Sequence, residues 1–264
     1  MGHFESCSFK PELPSGTDLK EKRVLLHCCC APCSTAIIEW MVEEGLRPGV
    51  FFSNSNIVPH EEYLKRKEEL AGYAASFGLE VIDDEYDHSA WLEYVRSRVK
   101  GGLDGPERGA RCLACFEFRL LRAARYAFSH GYDVLTTTLA SSRWKDLSQV
   151  DQAGRLAVHS VLSGEGVPSW NASLRSAPPL VPLRSTPVPP LNVPRVAVFP
   201  EGTPSPANQS PEAFPGDTPS SPDQLIWWGQ NWRKGGMQER RNFLIKSRAL
   251  YNQTWCGCEF SHRL

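Results

Sequence analysis

The stretch Val24-Leu25-Leu26-His27-Cys28-Cys29-Cys30-Ala31-Pro32-Cys33 decides how the rest of the chain is read. Its first four residues are a short apolar run of strand type. Pro32 then sits where a proline starts a helix, and Ser34 to Glu44 carries the helical spacing Ala36, Ile37, Trp40, Met41, ending near Gly45. A strand that ends on thiols and passes at once into a helix is the first half of a βαβ unit. The pattern repeats outward. Gly49–Phe52, Leu79–Ile82 and Tyr132–Thr138 read as strands. Glu61–Phe77, Trp91–Val99, Cys112–Ser129 and Lys145–His159 read as helices. This alternation predicts an α/β domain, a parallel sheet with helices on both faces.

The composition then changes. Of 21 prolines, 15 fall between Pro168 and Pro222, among Ser, Thr and Asn. Such a stretch buries too little apolar area to offset its ordering entropy, so residues 163–224 are expected to be a disordered insert. Folded-type sequence resumes with Leu225–Trp228 as a strand and Met237–Leu250 as a helix. The expected organisation is an N-terminal extension over 1–22 and one catalytic domain formed by 23–162 and 225–264.

A formal net charge of −1 gives no bulk attraction to polyanions, so any nucleic-acid contact must come from local patches. There is no run of apolar residues long enough to span a bilayer and no leader-type N-terminus, so a cytoplasmic, disulfide-free protein is expected. In such a compartment clustered cysteines signal metal binding or catalysis. Of the nine cysteines only Cys7 stands apart; the other eight form three groups: Cys28-Cys29-Cys30 with Cys33, Cys112 with Cys115, and Cys256 with Cys258. Cys112 and Cys115 share one face of a helical first turn. Gly257 permits a turn that aims Cys256 and Cys258 together. Leaving out Cys7 and Cys28, seven thiols remain. A structural zinc takes four ligands and a cubane iron–sulfur cluster up to four. Spacing alone leaves open a cluster with a second metal, a zinc site with bystander thiols, or redox dithiols. The loop after the first strand, where nucleotide-binding α/β folds carry a phosphate loop, holds thiols instead, and no ATP motif is present.

The order of further motifs points to a family. His27 with Cys29–Cys33 is followed by Asn54-Ser55-Asn56-Ile57, Glu62-Tyr63 and Arg66. Arg111-Cys112-Leu113-Ala114-Cys115-Phe116 and Thr136 to Arg143 come next, then Trp232-Arg233-Lys234-Gly235-Gly236 and Tyr251 with Cys256-Gly257-Cys258. In these the chain resembles the QueH family of epoxyqueuosine reductases, from about Val24 to Phe260. The resemblance implies a Rossmann-like, HUP-type core, a [4Fe–4S] cluster and an additional iron ion. It implies two-electron deoxygenation of epoxyqueuosine to queuosine in the anticodon region of tRNA, the last step of queuosine formation, with an electron donor the sequence does not name. On that resemblance Cys30, Cys112 and Cys115 are assigned to the cluster, and Cys29, Cys33, Cys256 and Cys258 to the remaining ligation. An open iron site would act as a Lewis acid toward the epoxide oxygen.

His27, Tyr63 and Arg143 are the catalytic candidates, although a strand-end His27 and a helical Tyr63 also fit structural roles. Asn54, Asn56, Arg66, Arg233, Lys234 and Gly235 are the candidate substrate contacts, with turn and capping roles as the alternative for the asparagines. Two basic patches are candidate RNA surfaces. One is the C-terminal stretch with Arg233, Lys234, Arg240, Arg241, Lys246, Arg248 and Arg263; the other is Arg119, Arg122 and Arg125 with Arg108 and Arg111. Glu61-Glu62 and Asp83-Asp84-Glu85 read as helix-start bias and a solvated loop rather than a carboxylate metal site.

Overall fold

A computed structural model describes residues 9, 11, 18–164 and 224–261. Five parallel strands form one sheet: β1 Val24–Cys28, β2 Gly49–Phe52, β3 Val81–Asp83, β4 Val134–Thr137 and β5 Ile226–Trp227, in the order β3-β2-β1-β4-β5. The helices are α1 Ala31–Glu43, α2 His60–Ala75, α3 His88–Arg98, α4 Ala110–Ser129, α5 Leu147–Ser163 and α6 Met237–Ser247. Helix α1 packs on α2 and α6, while α4 packs on α3 and α5, so the sheet lies between two helical layers. This is the expected α/β fold. The proposed insert lies almost entirely outside the described residues.

Strand β1 is central and buried on both faces, so it reads as a continuous apolar run. Its one polar member, His27, is pinned from both sides. Nδ1 is 2.7 Å from the Thr137 hydroxyl on β4, and Nε2 donates to the Ser53 carbonyl beyond β2 at 3.1 Å. Burial, and then the charge of Arg119, lowers its pKa to about 3, so the ring is neutral. The strand order reverses between β1 and β4. In such sheets the crevice beyond the carboxyl ends at this point is where ligands bind.

The N-terminal region contributes to the core: Phe9 stacks on Trp232 and meets Trp40 edge-on. Gly235 (φ 62°) allows this, because a Cβ there would stand 2.7 Å from the Phe9 Cα. That close approach is to the chain itself, whereas the sequence reading gave Gly235 to a substrate. Among the described residues no helix is long and apolar enough to cross a membrane.

A candidate metal centre at the switch point

Beyond β1 and β4 opens a cavity of ≈ 870 Å³, and all seven thiols singled out above line it. The first three arrive on the β1–α1 turn. Cys30 caps α1 and Pro32 lies in its first turn. The motif after β4 holds this turn in place. The Cys29 amide donates to Thr138 Oγ1 at 3.2 Å, Ser141 Oγ donates to the Cys33 carbonyl at 2.8 Å, and Ser34 Oγ donates to the Cys30 carbonyl at 2.7 Å. The Sγ atoms of Cys29, Cys30 and Cys33 all lie within 4.8 Å of one another, and those of Cys29 and Cys30 are 3.8 Å apart. Tetrahedral thiolates at about 2.3 Å from one ion are about 3.8 Å apart, so this corner can hold a single metal ion. Cys28 does not join it. Its thiol is buried, donates to the Leu26 carbonyl at 3.5 Å and does not line the cavity.

The remaining four thiols come from two distant segments. Cys112 lies in the first turn of α4, whose N-cap is Gly109, and Cys115 follows in the second. Cys256 and Cys258 sit on the C-terminal loop, where Gly257 (φ 102°) packs against Ile57 and Arg66. Val58 N donates to the Gly257 carbonyl at 2.9 Å, and Arg66 donates to the carbonyl of Cys256 at 3.0 Å. Cys115 and Cys256 feel each other's charge, as do Cys112 and Cys256 and Cys258 and Cys115. The thiols therefore divide into one tight set of three and a second set of four on the same cavity that influence one another's charge.

The two sets have the same electrostatic layout. Cys29 is shifted down by hydrogen bonds from Cys30 and Cys33, and Cys256 by one from Cys258. Burial pushes Cys112 up to about 11 and raises Cys115. Two cations lie between the sets, and neither was picked out as a site residue from the sequence. Arg119 is buried, donates to the Ser53 carbonyl at 3.2 Å and to Asn54 Oδ1, and its charge reaches both Cys29 and Cys115. Lys145 faces both Cys29 and Cys256; burial disfavours its charge, but the thiolates of Cys29 and Cys33 outweigh this and raise its pKa. A buried Arg that fastens one strand turn cannot be told by composition from a solvated one.

The cavity tests whether thiol-bound metal suits these residues. The indole N–H of Trp91 finds no acceptor at hydrogen-bonding distance and lies against Cys115, whose thiolate form it favours. Buried N–H groups facing sulfur are what a cluster or a metal thiolate uses. The donor set, five of its seven thiols buried, and this spare donor fit the implied group.

The other sequence candidates divide sharply. Arg143, Asn54, Asn56, Arg66 and Arg233 line the cavity; His27, Tyr63, Lys234 and Gly235 do not. Tyr63 donates to Asp83 at 2.8 Å, away from the thiols. Asn54 is consumed internally, donating to the Cys28 carbonyl at 2.9 Å. Asn56 is equally buried, yet its Oδ1 has no partner. Arg66 is committed to Glu62 and to the Cys256 loop. The α4 stripe is not a solvated face throughout: Arg119 and Arg122 are buried, and Arg122 grips Asp84 with two bonds. That pair also removes Asp84 from the solvated loop expected there. In the C-terminal patch Arg240 is paired with Glu39, and Arg263 lies outside the described residues.

With this geometry in place, likeness to known proteins is informative. The family model described as epoxyqueuosine reductase QueH matches residues 24–171 and 216–264. The chain belongs to the QueH family. Among its QueH relatives, the protein named epoxyqueuosine reductase QueH of Haemophilus influenzae is 32% identical over 254 residues, 96% of this chain and 76% of that protein. The Acinetobacter baylyi protein of the same name is 31% identical over 255 residues, 96% of this chain and 85% of its own length. QueH proteins are thus named as oxidoreductases, and this chain shares nearly its whole length with them.

Proposed function

We propose that this protein is an epoxyqueuosine reductase that converts epoxyqueuosine in tRNA to queuosine. The observation that carries the reading is the convergence of seven thiols, three of them tightly grouped, on one cavity at the switch point of a QueH-family fold. The reaction takes two electrons and two protons, breaks both epoxide C–O bonds, forms the alkene and releases water. Cys112, Cys115, Cys256 and Cys258 would hold the [4Fe–4S] cluster, and Cys29, Cys30 and Cys33 the additional iron. When bound, these groups supply single electrons and a Lewis-acidic position for the epoxide oxygen.

The chain's own residues then have defined work. Asn56 offers an unpartnered buried carbonyl oxygen to a donor on the substrate. Lys145 presents a protonated Nζ to the cavity, where it favours negative charge building on the departing oxygen. The Thr138–Ser141 turn holds the thiol-bearing β1–α1 turn still, and Arg119 fastens Asn54, which bonds the Cys28 carbonyl beside it. His27 and Tyr63, fully engaged away from the cavity, are left with structural roles.

Anaerobically purified protein is expected to contain iron and sulfide, and tRNA from cells lacking it to accumulate epoxyqueuosine. Protein with one zinc and no iron, or unchanged queuosine in cells with no other reductase, refutes the reading.

A further inference from the structure

The segment Ser142–Lys145, between the 3-10 turn after β4 and helix α5, is clasped by two arginines. Arg233 donates to the Ser142 carbonyl and, at 2.8 Å, to that of Lys145. Arg108 donates to the carbonyls of Arg143 and Trp144, each at 3.0 Å. Four consecutive carbonyls are therefore satisfied by two guanidinium groups. Arg108 itself sits in the left-handed region (φ 64°), is held by Gln149 at 2.7 Å, and its amide donates to Cys112 Sγ at 3.3 Å. The clasp thus joins this turn to the thiol centre.

What the clasp displays is unusual for a surface. Trp144 is 57% exposed, more than any other large apolar side chain described. The Arg143 guanidinium lies 4.8 Å from its ring centroid. Both side chains stand at the mouth of the thiol cavity, whose lining carries eight Arg and Lys against two acids in a chain whose net charge is −1. A rigid, exposed indole beside cations is the arrangement on which an unpaired base stacks while its phosphate is neutralised. Immobilising the turn beforehand removes the ordering cost of binding.

We propose that the Arg143–Trp144 turn is a fixed stacking platform for one unpaired nucleobase of the RNA that brings the modified base to the thiol centre. This rests on the tRNA-directed reading above. Arg143 contacts the adjoining phosphate, and Arg108 and Arg233 act as positioning residues.

The test is fluorescence anisotropy with a fluorescein-labelled anticodon stem–loop RNA, and with a blunt RNA duplex of the same stem as the comparison. Trp144→Ala is expected to weaken stem–loop binding about tenfold while leaving duplex binding within about twofold. Trp144→Phe should restore most of the affinity and Trp144→Leu should not, at an unchanged thermal midpoint. Arg143→Ala is expected to flatten the dependence of log K on log salt by about one unit. Wild-type protein that binds the stem–loop with no effect of Trp144→Ala overturns the platform and leaves the reductase reading standing. Equal losses for stem–loop and duplex overturn stacking. Wild-type protein that does not bind the stem–loop overturns the platform together with the tRNA reading.

Discussion

Removing Arg66 tests whether the C-terminal thiol pair is held by one buried guanidinium. Arg66 Nε donates to Glu62 Oε1 at 2.7 Å, Nη2 lies 2.6 Å from the same oxygen, and Nη1 donates to the Cys256 carbonyl at 3.0 Å. Arg66 is 3% exposed and Glu62 11%. Breaking a buried pair by removing one partner costs about 3–5 kcal/mol. Glu62 keeps some solvent and the Tyr251 hydroxyl at 3.2 Å, which favours the low end, about 3 kcal/mol. For a domain of this size that is a fall of about 6–12 °C in Tm. Arg66→Ala should also release the Cys256–Cys258 loop. Loss of stability alone could deplete metal, so Arg122→Ala is the matched comparison, since it breaks a buried pair with Asp84 and bonds no cysteine segment. Thermal unfolding, iron per chain and mass-spectrometric labelling of Cys256 and Cys258 in metal-free protein are the assays. Both variants should lose comparable stability, but only Arg66→Ala should lose iron and label faster. Equal iron and equal labelling in the two variants would refute the role given to Arg66.

Three further outcomes are expected. Cys28→Ala should keep wild-type iron, because that thiol points to the Leu26 carbonyl, whereas Cys30→Ala should lose it; iron analysis of both separates them. Gly257→Ala would be strained at φ 102° and bring a Cβ to 2.9 Å from Ile57 and 3.0 Å from Arg66, so iron retention should fall with a loss of about 1–3 kcal/mol in urea unfolding. Asn54→Ala should lower stability by about 1–3 kcal/mol through the orphaned Cys28 carbonyl, whereas Asn56→Ala, which breaks no bond within the chain, should raise KM for the modified tRNA with Tm unchanged.

Much of this protein is legible along the chain. The apolar run at Val24, the helix opened by Pro32 and the alternation after it report local periodicity, and the sheet and helices follow that pattern. The elements missed were short and tightly coupled to the site: Thr138–Ser141 forms a 3-10 turn where the sequence reading ended a strand at Thr138, because its hydroxyls bond the thiol-bearing turn instead of a neighbouring strand. The cysteine groups and the motif order also pointed to the family on their own, since those patterns are written in consecutive residues.

What only tertiary structure decided is which side chains meet. Cys112 and Cys256 come to one cavity with Cys29, Cys30 and Cys33, because strand order and helix docking close the chain over long separations that no local period encodes. The same holds for charge. Arg119 and Arg122 look like a basic stripe by spacing, yet both are buried against carbonyls and Asp84, while Arg143 and Trp144 stand exposed on a turn clasped by two other arginines. A guanidinium costs too much to bury alone, so its place depends on the acceptors the fold brings to it, and those come from elsewhere in the sequence.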